Sequence, residues 1–277
     1  MAAPVIGPIS GIDHTLVGVG DLEAARATSG RLGFTVTPRG RHIGWGTGNY
    51  CIMFPGDYVE LLGIVDPGQF LNRLDTMLET RGEGFLGLAF AAPDPDAVHL
   101  AHPDLTEPPK DLGRLLELPE GTVTPRFSLV HFKPEATPGL SAFCCTHLTP
   151  GLLRRPEWLD HANGAIGLEG VTVPAEDPAV LAPAYEALFG PAALQAGKGR
   201  LDVRAGAHDL RFVAPDRLAR RYPGLEPAPV MTVLCRDLAG TGAFLQGQGI
   251  STLEVPGARI VVPPEHANGV ILEFALS

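Results

Sequence analysis

The stretch that decides the fold begins with Gly11-Ile-Asp-His-Thr-Leu-Val-Gly18, in which a histidine stands among β-branched and aliphatic residues. This composition predicts a buried strand that carries His14. Asp21 can then cap a helix that ends at Gly33. Three further strands are expected from alternating runs at 34–37, 45–54 and 58–62, the last of which carries Glu60. The stretch, which closes at Gly63, therefore predicts a module of order βαβββ.

The same order of elements recurs three more times along the chain. New first strands are expected at 84–92, 165–173 and 229–235, and each is followed by an aspartate suited to open a helix. Repeats of this length predict paired modules rather than a solenoid. We therefore expect an α+β fold of four paired βαβββ modules. Residues 1–150 would hold the first pair, residues 151–164 a linker or lid, and residues 165–277 a diverged second pair.

Alignment of the copies indicates which side chains can meet. Matching the aspartates that open the helices places His14 in register with Gly87 of the second copy and Gly170 of the third, neither of which offers a ligand. Matching the last strands places Glu60 in register with His147. If the first two modules pair side by side, His14, Glu60 and His147 are expected on one concave face.

Composition excludes several functional classes. The net charge of −10, without any lysine-rich or arginine-rich run, argues against nucleic-acid binding, because phosphate contacts require a basic face. No apolar run approaches the roughly 20 residues that span a bilayer, and the N-terminus lacks signal-peptide features. A cytoplasmic location is the default expectation. The four cysteines lack CxxC spacing and lie in apolar runs, which favours reduced core residues.

Several motifs resemble the vicinal oxygen chelate superfamily and, within it, the glyoxalase-like domain family. They are Ile12-Asp-His-Thr15, Asp21-Leu-Glu-Ala-Ala25, Gly46-Thr-Gly-Asn49, Tyr58-Val-Glu-Leu-Leu-Gly63, and Thr146-His-Leu-Thr-Pro150 followed by Arg155-Pro-Glu-Trp158. The resemblance is close in the N-terminal half and covers the C-terminal half as a diverged repeat. It implies that paired modules form half-open barrels in which a divalent metal chelates adjacent oxygens of a small substrate.

By this resemblance, His14, Glu60 and His147 fall on metal positions of the N-terminal barrel. The C-terminal pair retains Glu273 without a histidine partner, so one metal site is expected. Two imidazoles and a carboxylate suit Zn, Fe, Mn or Ni and leave room for water or substrate. The alternative for each residue is a hydrogen-bonded place in the core.

Other residues are candidates for catalysis or substrate binding. His131, on an alternating strand, is a candidate general base, and a structural histidine is its alternative. Asn49 and Tyr58 are candidates to orient substrate, although turn and packing roles fit equally. Arg126 is a candidate to bind an anionic group, with an exposed ion pair as its alternative. Trp158 is a candidate lid, with packing between the halves as its alternative.

The resulting hypothesis is a metal-dependent lyase or isomerase that acts on a small oxygenated metabolite as a monomer or homodimer. A second hypothesis is an Fe(II)-dependent extradiol-type dioxygenase. Gly87 disfavours it, because ring-cleaving relatives take a histidine from each opening strand. A third is a small-molecule binding or resistance protein without turnover, which the missing fourth ligand fits.

Overall fold

The computed structural model describes residues 7–277, and these residues form two β-sheets with helices between their strands. The strands of the first sheet are β1 (Gly11–Gly18), β2 (Gly40–His42), β3 (Thr47–Met53), β4 (Tyr58–Ile64), β5 (Gly84–Ala91), β6 (Lys110–Leu118), β7 (Gly121–Val123), β8 (Arg126–His131) and β9 (Ala142–His147). Those of the second are β10 (Ala165–Pro174), β11 (Leu194–Gly197), β12 (Arg200–Ala205), β13 (His208–Val213), β14 (Val230–Cys235), β15 (Leu253–Val255), β16 (Arg259–Val262) and β17 (Ile271–Leu276).

The α-helices are short and lie between the strands. They are α1 (Leu22–Arg31), α2 (Leu74–Arg81), α3 (Pro95–Ala101), α4 (Ala182–Phe189), α5 (Pro215–Arg221) and α6 (Leu238–Gly247). As expected, the helix-opening aspartates accept hydrogen bonds from the backbone of the turn that follows; they are Asp21, Asp94, Asp177 and Asp237. Across residues 7–277, every helix is too short or too polar to cross a membrane.

The predicted fold class of paired βαβββ modules is confirmed, and the pairing occurs within one chain. Antiparallel pairing of β1 with β5 joins the first two modules, and pairing of β10 with β14 joins the last two. The first sheet has the order β2-β3-β4-β1-β5-β9-β8-β6-β7, and the additional pairing of β2 with β6 closes it into a barrel. The second sheet has the order β11-β12-β13-β10-β14-β17-β16-β15.

One expected strand of the first module is wrong. Residues 34–37 form no strand, and the module takes its second strand from Gly40–His42 instead. The ring of Phe34 stacks on Phe274 of the second sheet, with 6.0 Å between ring centroids, and the backbone N–H of Thr35 donates to His161 Nδ1 at 3.0 Å. This segment therefore connects the first module to the linker and to the second sheet.

The two sheets share a continuous apolar core, which a buried polar contact reinforces. Asp57 Oδ1 accepts from the backbone N–H of Leu168 at 2.9 Å, and its Oδ2 lies 3.1 Å from His208 Nε2. His208 Nδ1 in turn accepts from the backbone N–H of Ile12 at 3.0 Å. The contact fixes the N-terminal barrel against the second sheet, because each buried polar atom finds its partner on the other side.

Candidate functional site

A cavity of about 780 Å³ lies inside the N-terminal barrel. Such a volume suits a small organic ligand. The strands contribute polar side chains to its wall, among them His14, His42, Thr47, Asn49, Tyr58, Glu60, Arg114 and His131, while other segments add Asn72, Arg73, Thr76, Thr80, Arg81, Thr137 and Ser141. Its aromatic walls are Trp45, Phe127, Phe132 and Phe143. The cavity therefore combines a small set of ionisable groups with a mainly apolar surface.

His14 is oriented by the residue that precedes it. A β-bulge between Ile12 and His14 inserts Asp13 into β1 as an extra residue, and both side chains are buried. Asp13 Oδ2 lies 2.7 Å from His14 Nδ1 and 3.0 Å from His147 Nε2. Burial by itself raises the pKa of Asp13, but its two histidine partners outweigh burial and hold the pKa well below the usual range. An ionised Asp13 therefore fixes the His14 ring and leaves His14 Nε2 for other contacts.

Glu60 stands between two imidazoles. Its Oε2 lies 3.4 Å from His14 Nε2, and its Oε1 lies 3.8 Å from His42 Nε2 and accepts from Asn49 Nδ2 at 2.5 Å. Burial by itself raises the pKa of Glu60, but His14, His42 and Arg114 outweigh it and lower the pKa. The buried carboxylate is therefore ionised and faces two histidine nitrogens.

The short strand β2 brings His42 to this carboxylate, a position that sequence reasoning missed because the strand was expected at 34–37. His42 Nδ1 lies 2.9 Å from Thr47 Oγ1, which leaves Nε2 directed at Glu60. Burial lowers the pKa of His42, although Glu60 opposes that shift. A neutral imidazole is the form that binds metals.

Gly40 makes room for the side chain that supports Glu60. A Cβ atom added at Gly40 would lie 2.1 Å from Asn49 Oδ1 and 3.3 Å from Arg114 Cδ. Any larger residue would therefore displace the Asn49 amide from the Glu60 carboxylate.

The strand register confirms that Gly87 is the counterpart of His14. His14 of β1 lies opposite Ala89 of β5, and Leu16 of β1 lies opposite Gly87 of β5. The two-fold relation between the modules exchanges β1 with β5, so it superimposes His14 on Gly87 and Leu16 on Ala89. The second module therefore supplies no ligand from its opening strand.

The expected correspondence of Glu60 with His147 is wrong. On the first module Leu16 lies opposite Glu60, and on the second its counterpart Ala89 lies opposite Phe143. His147 is four residues further along the same face of β9, about 13 Å away at 3.3 Å per residue. It contacts Asp13 and is not part of the cavity wall. The structure therefore does not bring His147 to Glu60.

Asp13, Cys145 and His147 form a compact group whose potential ligand atoms lie within 4.8 Å of one another, the single group of this kind within residues 7–277. Burial raises the pKa of the Cys145 thiol well above its usual range, and the Asp13 charge raises it further. The thiol is therefore protonated at neutral pH. As the side chains stand, this group is a hydrogen-bonded support behind His14.

Three other predicted site residues reach the cavity, namely Asn49, Tyr58 and His131. Tyr58 stacks on the His14 ring with 4.4 Å between centroids. Burial, and then the charge of Lys110, lower the pKa of the half-buried His131. The ring of Phe143 lies beside both histidines, 5.7 Å from His14 and 5.6 Å from His131 between ring centroids.

Two predicted substrate-binding residues lie outside the cavity wall. Arg126 is exposed and pairs with Asp111 at 3.0 Å. Trp158 is buried in a second apolar cluster, where the Arg155 guanidinium lies 5.3 Å from its ring centroid. Arg126 therefore forms the exposed ion pair that was its alternative, whereas Trp158 packs among residues of the N-terminal barrel and the linker rather than between the two halves.

Arg114 is a cavity residue that sequence reasoning missed. It is 2% exposed, and its Nη1 donates to Cys51 Sγ at 3.2 Å. The signal was its inward position in the alternating strand 114–118, where Arg114, Leu116 and Leu118 are buried while Leu115 is exposed. A charged residue at such a position is costly unless it is paired.

In the C-terminal sheet, Glu273 occupies the place that Glu60 has in the N-terminal one. It is buried opposite Thr232, as Glu60 is opposite Leu16. Its carboxylate accepts from Arg221 at 2.9 Å and from Arg259 at 3.2 Å. Two guanidinium groups therefore neutralise the Glu273 carboxylate, so no metal ion is needed to balance its charge.

The paired modules, with a histidine and a glutamate facing each other inside one barrel, define a protein of the vicinal oxygen chelate superfamily. The chain belongs to the glyoxalase-like domain family, whose sequence model matches residues 12–189. No curated protein matches the chain.

Solved structures share the fold at low sequence identity. A hypothetical protein from Staphylococcus aureus is 13% identical with a TM-score of 0.64, covering 96% of this chain and 99% of that one. A mutant of 4-hydroxymandelate synthase from Streptomyces coelicolor is 15% identical with a TM-score of 0.58, covering 96% and 92%. A xylose isomerase-like TIM barrel/4-hydroxyphenylpyruvate dioxygenase fusion protein is 13% identical with a TM-score of 0.60, covering 99% of this chain and 50% of that one.

Proposed function

We propose that the protein is a metal-dependent enzyme of lyase or isomerase type that acts on a small oxygenated metabolite in the N-terminal cavity. His14 and Glu60 hold the divalent metal, and His42 replaces His147 as the third ligand. The observation that carries the proposal is the Glu60 carboxylate, which lies 3.4 Å from His14 Nε2 and 3.8 Å from His42 Nε2.

The separations around Glu60 suit two ligands of one divalent metal, because two atoms that each lie about 2.1 Å from a tetrahedral ion are roughly 3.4 Å apart. His14, His42 and Glu60 do not bring three ligand atoms within 4.8 Å of one another, so the two histidine rings would move closer together when the metal binds. Asp13 holds His14 by Nδ1, and Thr47 contacts His42 at Nδ1, so that both Nε2 atoms face the carboxylate. Such outer partners commonly orient metal-binding histidines.

The other residues have separate roles in this proposal. When bound, the metal would polarise a carbonyl group and stabilise negative charge on a substrate oxygen. Asn49 holds the Glu60 carboxylate by its hydrogen bond at 2.5 Å. His131 is the candidate general base, because burial keeps its imidazole neutral and able to accept a proton. The ring of Tyr58 stacks on the face of His14 and the ring of Phe143 makes a T-shaped contact with it, so both hold the His14 ring in place.

Two rival functions remain as outcomes of the tests. Two histidines and a carboxylate also suit Fe(II), so a dioxygenase is the second candidate. Its disadvantage is that both histidines come from the first module, while the second offers Gly87 and Phe143. A non-catalytic binding protein would hold its ligand without product formation.

Metal analysis of the purified full-length protein tests the ligand assignment. We expect about one equivalent of a transition metal in the wild type, and loss of that metal in His14→Ala, His42→Ala and Glu60→Gln. His131→Ala is the matched control, because it changes a cavity histidine outside the ligand set. A His42→Ala protein that keeps its metal, together with a His147→Ala protein that loses it, would move the site to the group behind His14.

A further inference from the structure

The Arg114 guanidinium is a buried cation with unused hydrogen-bonding capacity. Its Nη1 donates to Cys51 Sγ, while its Nε and Nη2 have no hydrogen-bond partner within residues 7–277. Nearly all buried donors in proteins are satisfied, so two free nitrogens on one buried side chain require an explanation. The side chain borders the cavity, which makes a ligand the natural partner.

The two free nitrogens belong to one edge of the guanidinium. The N–H of Nε and one N–H of Nη2 project in parallel, and this edge pairs side-on with both oxygens of a carboxylate. The bond from Nη1 to Cys51 Sγ fixes the opposite side, and the Phe127 ring centroid lies 5.7 Å from the guanidinium carbon. The plane of the group is therefore held, while its carboxylate-binding edge is buried and has no hydrogen-bond partner within residues 7–277.

The charge of Arg114 also lacks a direct partner. Glu60 attracts it, but the Glu60 carboxylate already lies against His14 and His42 and accepts from Asn49. A buried cation gains most from an anion that approaches it away from water.

We propose that Arg114 binds the carboxylate of the substrate, and that the substrate is a small carboxylic acid with an apolar body. The aromatic side chains of Trp45, Phe132 and Phe143 on the same cavity wall suit such a body. The proposal rests on the proposed function only in taking this cavity as the substrate site.

The test compares an acid with its neutral analogue. Full-length protein is titrated with 4-fluorophenylacetate and with 4-fluorophenylacetamide, and binding is followed by ¹⁹F NMR. Chelator-treated protein is used alongside the purified form, so that a metal–carboxylate contact cannot account for the result. We expect the acid to bind about tenfold or more tightly than the amide, since hydrogen bonds between charged groups are the strong ones.

Substitution of the guanidinium then tests the assignment to Arg114. Arg114→Lys keeps the charge but removes the fork, and we expect it to lose about tenfold in affinity for the acid with little change for the amide. Arg126→Lys is the matched control on the surface and should behave as the wild type. Circular dichroism checks that each variant is folded. Arg73→Lys and Arg81→Lys change the other two arginines on the cavity wall and should keep the wild-type acid-to-amide ratio, and loss of the preference in either would move the carboxylate site away from Arg114.

Two further results would overturn the assignment. One is an acid that binds the wild type no better than the amide, including no saturable binding of either. The other is a folded Arg114→Lys protein that keeps the full preference for the acid. Either would mean that Arg114 is satisfied within the protein, for example by rotation toward the unpartnered Oδ1 of Asn49. Metal content measured on the same samples separates the Arg114 assignment from the proposed metal-dependent function. If the protein binds no metal and still prefers the acid, the Arg114 assignment stands and the proposed function fails.

Discussion

Replacing Asp13 by Asn removes the carboxylate that joins His14 to His147. Its Oδ2 lies 2.7 Å from His14 Nδ1 and 3.0 Å from His147 Nε2, and the residue is 3% exposed. Hydrogen bonds to a charged group contribute about 1.5–3 kcal/mol each, and the amide oxygen of Asn can retain only part of one. We therefore expect the free energy of unfolding to fall by about 2–5 kcal/mol.

Urea unfolding of chelator-treated protein, followed by tryptophan fluorescence, measures this change, because Trp158 is buried in the folded protein. Asp111→Asn is the control, since Asp111 makes only an exposed pair with Arg126 and its loss should cost about 0.5 kcal/mol or less. The affinity for metal should also fall by about 10–100-fold in Asp13→Asn, because His14 loses its orienting partner. An Asp13→Asn protein that matches the wild type in both stability and metal affinity would refute this account of the His14 support.

Three further predictions concern the surroundings of the site. Gly40→Ala places a Cβ atom 2.1 Å from Asn49 Oδ1, so it should destabilise the fold by about 1–3 kcal/mol and weaken metal binding about tenfold, as urea unfolding and metal titration would show. Asp57→Ala leaves His208 Nε2 and the Leu168 N–H unpaired in the core, so the free energy of unfolding should fall by about 2–4 kcal/mol in the same urea assay. Burial lowers the pKa of His161, so the unfolded chain binds more protons than the folded one below pH 6.5. The contribution of His161 to stability should be full above that pH and fall as the pH drops toward the folded pKa. Urea unfolding at pH 7.5 and at pH 5.5 should therefore show a smaller loss of stability in His161→Gln than in the wild type.

The module order was predictable because its signals are local. An aspartate that caps a helix and a glycine that ends one depend on a few neighbouring residues, and all four such aspartates cap the turns that follow. The same anchors set the register of the opening strands, which is why Gly87 was matched correctly to His14.

The slip from Phe143 to His147 has a physical cause. Side chains alternate along a strand with period two, so a shift of four residues leaves the same face inward while moving the side chain about 13 Å. The sequence pattern of β9 is therefore compatible with either residue as the counterpart of Glu60. Only the pairing of Ala89 with Phe143 distinguishes them.

The remaining site residues depend on contacts between distant parts of the chain. His42 reaches Glu60 because β2 pairs with β6 and closes the barrel, a contact between residues more than 70 positions apart. Asp13 turns inward because of a bulge that composition does not reveal. Arg114 was visible in principle, as a charge on the inward face of an alternating strand.

X-ray absorption spectroscopy of the zinc-loaded protein tests the central claim most directly. Ligation by His14, His42 and Glu60 predicts only nitrogen and oxygen neighbours near 2.0–2.1 Å, with the outer-shell scattering of two imidazoles. A sulfur neighbour near 2.3 Å would contradict the account, because none of these three residues carries sulfur and a cysteine, such as Cys145 beside Asp13 and His147, would have to be a ligand.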